Sequence, residues 1–286
     1  MKVVIRSALL VAVMFSAGSA WAQLPQFNHV FVVLEENTNY SGVIGNPSMP
    51  YFNSLVSQYG LATQYYANTH PSIGNYFMLT TGAIITNNDG FHGVVKADNV
   101  VRHLLAAGKT WKAYEEDLPY PGYLGPDIAN YARRHCPLSY LSDVIHSSDQ
   151  ILNLVPFTQF AADLASGSFP DYSFITPNLC NDAHDCSLAT ADSWLQTNID
   201  PLIRSSSFKS GDLLIIVFDE AATDNTNGGG RVAWVEISPR YSRKSYKSAT
   251  PYQHQNTLRL MMEGLGLTTF PGKAKTASNM SEFFHP

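Results

Sequence analysis

Charge of either sign is scarce in this chain. Only 14% of its 286 residues are Asp, Glu, Lys or Arg, and the formal net charge is −5. No run of basic residues occurs anywhere in it. Phosphate backbones are gripped by clustered Lys and Arg, so nucleic acid is excluded as a partner. After the first residues no apolar stretch is long enough to span a bilayer, which excludes stable membrane insertion of the remaining chain. Internal repeats, low-complexity blocks and interdomain linkers are also missing. Cysteine is rare, at three residues: Cys136, Cys180 and Cys186.

At the N-terminus, Lys2 and Arg6 lead into "ALLVAVMFSAGSAWA", with small residues at Ala20 and Ala22. This is the pattern of a secretory signal peptide over residues 1–22, cleaved after Ala22. Its removal takes away 22 residues, Lys2 and Arg6 among them. That leaves 264 residues, a net charge of −7 and an expected single domain over 23–286, a length suited to one large α/β unit. The expected location is secreted or periplasmic, where disulfides persist. A Cys180–Cys186 bridge would close a small loop around "NDAHD", worth only about 2 kcal/mol in chain entropy. Pairings through Cys136, or three free thiols, stay open.

The apolar runs "HVFVVLE", "GDLLIIVFDE" and "RVAWVEISP" read as buried strands of a mainly parallel sheet. "GKTWKAYEEDLP" and "PDYSFITPN" read as shorter strands. Helical segments alternate with them in "MPYFNSLVSQYG", "NVVRHLLAAG", "PFTQFAADLASG" and "NTLRLMMEGLGL". Gly108 is expected to stop the second. This alternation predicts an α/β/α sandwich with helices on both sheet faces. "TDNTNGGGR" reads as a flexible loop.

Ligands of open α/β sheets bind at the carboxyl ends of strands. Glu35, Glu36 and Asn37 end one apolar strand; Asp219 and Glu220 end another. Either cluster alone is equally well a solvated loop or a helix cap. Together they offer carboxylate and amide oxygens to a hard divalent cation. Glu35 points to the opposite side of an extended chain from Glu36 and is left out of the site. In "ANTHPSIGNYFMLTTG", Ser72 and Asn75 adjoin an apolar helical turn. Ser72 is either an ordinary cap or, with a metal beside it, an activated hydroxyl at an anion-binding helix start. "TPNLCNDAHDCS" crowds Asn178, Asn181, Asp182, His184 and Asp185 into one loop, where His184 could protonate a leaving group. His254 lies just before a helix. His135, beside Arg133 and Arg134, reads as an anion-binding corner or a solvated surface.

These stretches resemble the bacterial and fungal phosphoesterase family of acid phosphatases and phospholipases C, within the alkaline phosphatase-like superfamily. The matching segments run in order from "VFVVLEENTNY" through "THPSIGNYFMLTTG", "WKAYEEDLP", "YARRHCPLSYL", "PNLCNDAHDCS" and "VFDEAATD" to "YQHQNTLRLMMEGLGL". Two departures stand out. Gly74 replaces a Pro common before the Asn, and "ENTNYSGVIG" lacks the longer opening of the large phospholipases C. The compact form is more similar to small secreted acid phosphatases.

The resemblance implies that Glu36, Asn37, Asp219, Glu220 and Ser72 hold a divalent metal (Mg, Ca, Mn or Zn). It implies Ser72 as nucleophile and Asn75 as a phosphoryl-oxygen donor. His184, with Asp182 or Asp185, and His254 resemble the family's second polar cluster, His184 and His254 as catalytic residues, and the expected substrate contacts are Asn75, His135, Asp182, His184 and Asp185. The expected activity is hydrolysis of phosphate monoesters, phosphoinositides among them, through a phosphoserine. The alternatives are a phospholipase C-type phosphodiesterase acting on lipid head groups and a secreted binding protein without catalysis.

Overall fold

The strand Val30–Glu35 (β1) is buried at every position, so it needs a neighbour on each edge and cover on each face. The computed structural model describes residues 24–285; the leader expected over residues 1–22 lies outside them. The remaining strands are Gly60–Ala62 (β2), Tyr65–Tyr66 (β3), Trp111–Glu115 (β4), Leu154–Pro156 (β5), Tyr172–Thr176 (β6), Leu213–Phe218 (β7), Trp234–Ile237 (β8), Lys247–Ser248 (β9) and Tyr252–Gln253 (β10). Eight of them form one sheet in the order β5-β4-β6-β1-β7-β8-β2-β9, and β10 pairs with β3.

From β5 through β7 the sheet is parallel, so the C-terminal ends of β4, β6, β1 and β7 lie along one edge. "RVAWVEISP" departs from the parallel expectation. Its strand β8 runs antiparallel to both β7 and β2. The connection from β7 to β8 carries only the short turn Thr226–Gly228, whereas a parallel return requires a crossover, usually a helix.

Helices occupy the expected segments as Pro50–Gln58, Val100–Ala106, Thr158–Ser166 and His254–Gly264. Asn99 caps the second by accepting from Arg102 N, and Gly108 follows it at φ +69°. Ser72–Thr81 is a helix buried at every residue, and it ends at Gly82 in the left-handed region. A Cβ there would meet the Pro271 carbonyl oxygen at 2.5 Å, so this position requires glycine. Leu188–Asn198 is a helix not expected from its mixed polarity.

The register places Phe31, Val33 and Glu35 on the face of Leu214 and Phe218. Phe31 packs there against Phe160, Phe169 and Phe208, and Phe218 against Phe52. Burying such a ring is worth about 2–3 kcal/mol. Val32 and its neighbour Phe174 take the other face, where Phe174 meets Tyr76 of the Ser72–Thr81 helix. Glu36 continues toward that helix.

Candidate active site

Because Glu35 lies in register with Phe218, the residues that follow, Glu36–Asn37 and Asp219–Glu220, leave the sheet side by side. Asp219 N donates to Glu35 O at 2.9 Å, and Glu36 N donates to Asp182 O at 2.7 Å. Asn37 turns the chain at φ 34°, a conformation Asn tolerates better than most residues. The helix starting at Ser72 brings the serine into this corner. Ser72 Oγ lies 3.1 Å from Glu36 Oε2, 3.1 Å from Glu220 Oε1 and 3.3 Å from Asn37 Oδ1. Pro71 holds the N-cap position and makes no side-chain cap, so Ser72 is not the cap of its helix.

Burial and the neighbouring carboxylates push the Glu36 and Asp219 carboxyls well above their ordinary range. Glu220 is pushed up to about 7, first by burial. No Lys or Arg among the described residues pairs with Glu36, Asp182, Asp219 or Glu220; the side chains His70 and His135 lie against three of them. Asp219 Oδ2 is buried without a hydrogen-bond partner. Several acids gathered without a compensating cation, one oxygen orphaned, fit a divalent metal with oxygen ligands. Asn37 suits either state. With its amide turned one way, Nδ2 donates to Glu36 Oε2 at 3.0 Å and Glu220 Oε1 at 3.1 Å; turned the other way, it presents Oδ1.

The second polar cluster is arranged differently from the expectation. His135 is buried, its ring parallel to Tyr76 at 5.0 Å between centroids. Its Nε2 lies 3.5 Å from Glu36 Oε1, and its Nδ1 3.6 Å from Asp182 Oδ2. Burial, reinforced by Arg134, holds its pKa well below the usual histidine range. Glu36, His135 and Asp182 could together hold a cation. His135 is therefore not on a solvated surface, and the two neighbouring arginines are engaged elsewhere. Arg133 lies over Tyr140 and donates to Leu124 O, and Arg134 pairs with Asp127.

Asn75 is likewise engaged within the protein. It is fully buried, its Oδ1 accepts from Asn68 N and Thr69 N, and its Nδ2 donates to Thr69 O. It ties down the segment leading to Ser72. His254 is the first residue of its helix rather than a residue before it. Fully buried, it faces the Asp219 backbone carbonyl and the Tyr65 hydroxyl, so both ring nitrogens are engaged within the protein.

The loop after β6 keeps His184 at the surface. A Cys180–Cys186 disulfide closes it, and Cys136 is free and buried. Asp182 is buried; its Oδ1 accepts from His184 N, and burial pushes its carboxyl up to about 7. Exposed Asp185 takes His184 Nδ1 at 2.6 Å. Asn178 and Asn181 bond Asp117 and Glu116. The "TDNTNGGGR" loop is braced rather than free. Ala67 N donates to Gly230 O, Gly229 N donates to Ala67 O, and Arg231 lies over Tyr40.

Two site residues went unnoticed in the sequence. Tyr76, whose hydroxyl donates to Glu36 Oε1, sits four residues after Ser72 and so on the same helix face; that spacing was the available signal. His70 contacts Glu220 Oε2 through Nδ1 at 2.5 Å and Asp224 O through Nε2 at 3.1 Å. Its place two residues before the serine gives no comparable signal.

A profile described as Phosphoesterase family matches residues 46–268. The chain is 34% identical over 252 residues to a phosphatidylinositol-3-phosphatase of Mycobacterium tuberculosis, covering 87% of this chain and 81% of that protein. It is 35% identical over 206 residues to an acid phosphatase of Aspergillus fumigatus, covering 69% of this chain and 45% of that protein. A probable acid phosphatase of Kluyveromyces lactis is matched over 48% of its length, so the chain spans about half of these fungal relatives. Among solved structures, a Vibrio parahaemolyticus protein of the alkaline phosphatase superfamily superposes with TM-score 0.61 at 12% identity, over 91% of this chain and 71% of that one. A lipoteichoic acid synthase of Listeria monocytogenes gives 0.63 at 11%, over 95% and 79%. The fold is therefore alkaline phosphatase-like.

Proposed function

Since the chain belongs to the phosphoesterase family, we propose that it is an exported, metal-dependent phosphomonoesterase whose nucleophile is Ser72. The observation that carries this is the convergence on Ser72 Oγ of Glu36 and Glu220 from two strand ends, at the start of a buried helix. Glu36, Asn37, Asp219, Glu220 and the Ser72 hydroxyl would hold the cation. When bound, a divalent ion there acidifies the serine hydroxyl and neutralises charge on the transferring phosphoryl group.

The chain's own residues supply the remainder. Tyr76 and His70 fix the Glu36 and Glu220 carboxylates from outside. Asn75 holds the backbone approach to Ser72. The Ser72 hydroxyl releases its proton to solvent, and Oγ attacks phosphorus and forms an O–P bond as the ester O–P bond breaks. His184, oriented by Asp185, gives its proton to the departing alkoxide. Water then attacks phosphorus and gives a proton to His184, the Ser72 O–P bond breaks with Oγ regaining a proton from solvent, and inorganic phosphate leaves.

The phosphatase activities of the relatives favour monoesters, with phosphoinositide head groups among the substrates. The disulfide supports export, and no described helix is long and apolar enough to cross a membrane. The test is a panel of phosphate monoesters and diesters, including a phosphatidylinositol phosphate, assayed with chelated and metal-restored protein. Monoester turnover that chelation abolishes and a divalent cation restores is expected. Full turnover in protein shown by elemental analysis to be metal-free would refute metal dependence, and preference for diesters would refute the substrate class.

A further inference from the structure

A phosphoryl group joined to Ser72 Oγ needs hydrogen-bond donors for its other oxygens. The backbone amides of the first turn of the Ser72–Thr81 helix are fixed donors beside it. Two of these are already taken, the first being Gly74 N, which donates to Pro71 O at 3.3 Å within the turn. Ile73 N donates to Asp89 Oδ1 at 3.2 Å, and Asp89 comes from a loop remote in sequence from the helix start.

We propose that Asp89 is an internal competitor for the phosphate: its carboxylate occupies the amide beside the nucleophile that a bound phosphoryl group must use. The inference rests on the phosphoesterase reading and adds a residue that sets the affinity for phosphate.

Three observations carry it. The loop is built to lie against this turn. Asn87 Nδ2 donates to Thr69 Oγ1 at 2.9 Å, and the Phe91 ring packs edge-on to Phe77. Gly74 is what permits the approach, since a Cβ there would meet Asn87 Oδ1 at 2.4 Å and Thr69 Cγ2 at 2.5 Å. With the loop anchored on both sides of Asp89, a side-chain rotation suffices to vacate the amide.

A carboxylate that alternates with phosphate loosens ester and product alike, which keeps inorganic phosphate from accumulating on the enzyme. The simpler reading is that Asp89 serves only as a remote cap for a helix whose N-cap, Pro71, makes none. The two readings predict opposite effects on phosphate binding.

The experiment measures the Kd of inorganic phosphate by calorimetry, and KM for a monoester, on metal-loaded wild type, Asp89→Ala and Asp89→Asn. The expected result is a roughly tenfold lower Kd in Asp89→Ala, the effect of removing one charged competitor for a hydrogen bond. KM should fall in parallel, and Asp89→Asn should lie between. A melting curve checks each variant's fold, and Asp89→Asn carries the test if Asp89→Ala does not fold. Unchanged or weaker phosphate binding in the variants of an enzyme that turns over esters overturns the role of Asp89 alone. Absence of both phosphate binding and ester turnover in all three proteins overturns it together with the phosphoesterase reading.

Discussion

His254 Nε2 sits 2.6 Å from the backbone carbonyl oxygen of Asp219. The ring is the last link in a one-way chain of hydrogen bonds. Trp234 Nε1 donates to Thr257 Oγ1, which meets the Tyr65 hydroxyl, which in turn meets His254 Nδ1. Trp234 can only donate and the Asp219 carbonyl can only accept, so a neutral His254 carrying its proton on Nε2 satisfies every link. Burial lowers its pKa to about 4, and the bond to Asp219 partly opposes that shift.

His254 therefore acts as a strut beneath a metal-site residue. His254→Ala strands the Tyr65 hydroxyl and the Asp219 carbonyl, and should cost about 2–4 kcal/mol of stability, read by urea unfolding. Turnover should fall as Asp219 shifts. Loss of activity with unchanged stability would indicate a chemical role instead.

Gly229 supports the other side of the nucleophile. A Cβ on it would meet the Thr69 carbonyl oxygen at 2.4 Å and Ala67 Cβ at 2.7 Å, and those residues lead directly to Ser72. Gly229→Ala should displace Ser72 slightly and lower kcat by roughly 10- to 100-fold, since misplacement by ~1 Å is that costly. Unaltered kcat would mean that the loop yields without moving the serine.

Glu236 supplies a pH dependence remote from the site. It is buried in β8, accepts from Ser242 Oγ, and is pushed up to about 8 by burial. Between its unfolded value near 4.5 and about 8, the folded state holds a proton that the unfolded state has lost. Its contribution to stability therefore falls as pH rises through that window, by at most about 1.4 kcal/mol per pH unit. Relative to Glu236→Gln, the wild type should gain stability from pH 8 down to pH 4.5. Parallel stability curves for the two proteins would show that Glu236 stays ionised.

How much of this was legible in the sequence depended on the distance over which each feature is decided. Strands β1 and β7, and the acids that follow them, could be read because an apolar run and its terminal residues are local. So could the helix beginning at Ser72. The antiparallel β8 could not, because "RVAWVEISP" has no local mark of direction. Asn75, His135 and His254 have site-like neighbours in the chain, yet long-range partners decide their roles: Glu36 and Asp182 for His135, Asp219 and Tyr65 for His254. Asp89 and Ile73 meet only after the chain has folded back.

The central claim is that Ser72 carries the phosphoryl group between substrate and water. Its most direct test is acid quenching of the metal-loaded enzyme during turnover of a phosphate monoester, followed by peptide mapping of the trapped phosphate. The account predicts phosphate on the peptide containing Ser72, and none on any peptide of Ser72→Ala, which should fold normally and lack turnover. Phosphate on another residue, or wild-type turnover by Ser72→Ala, would contradict it.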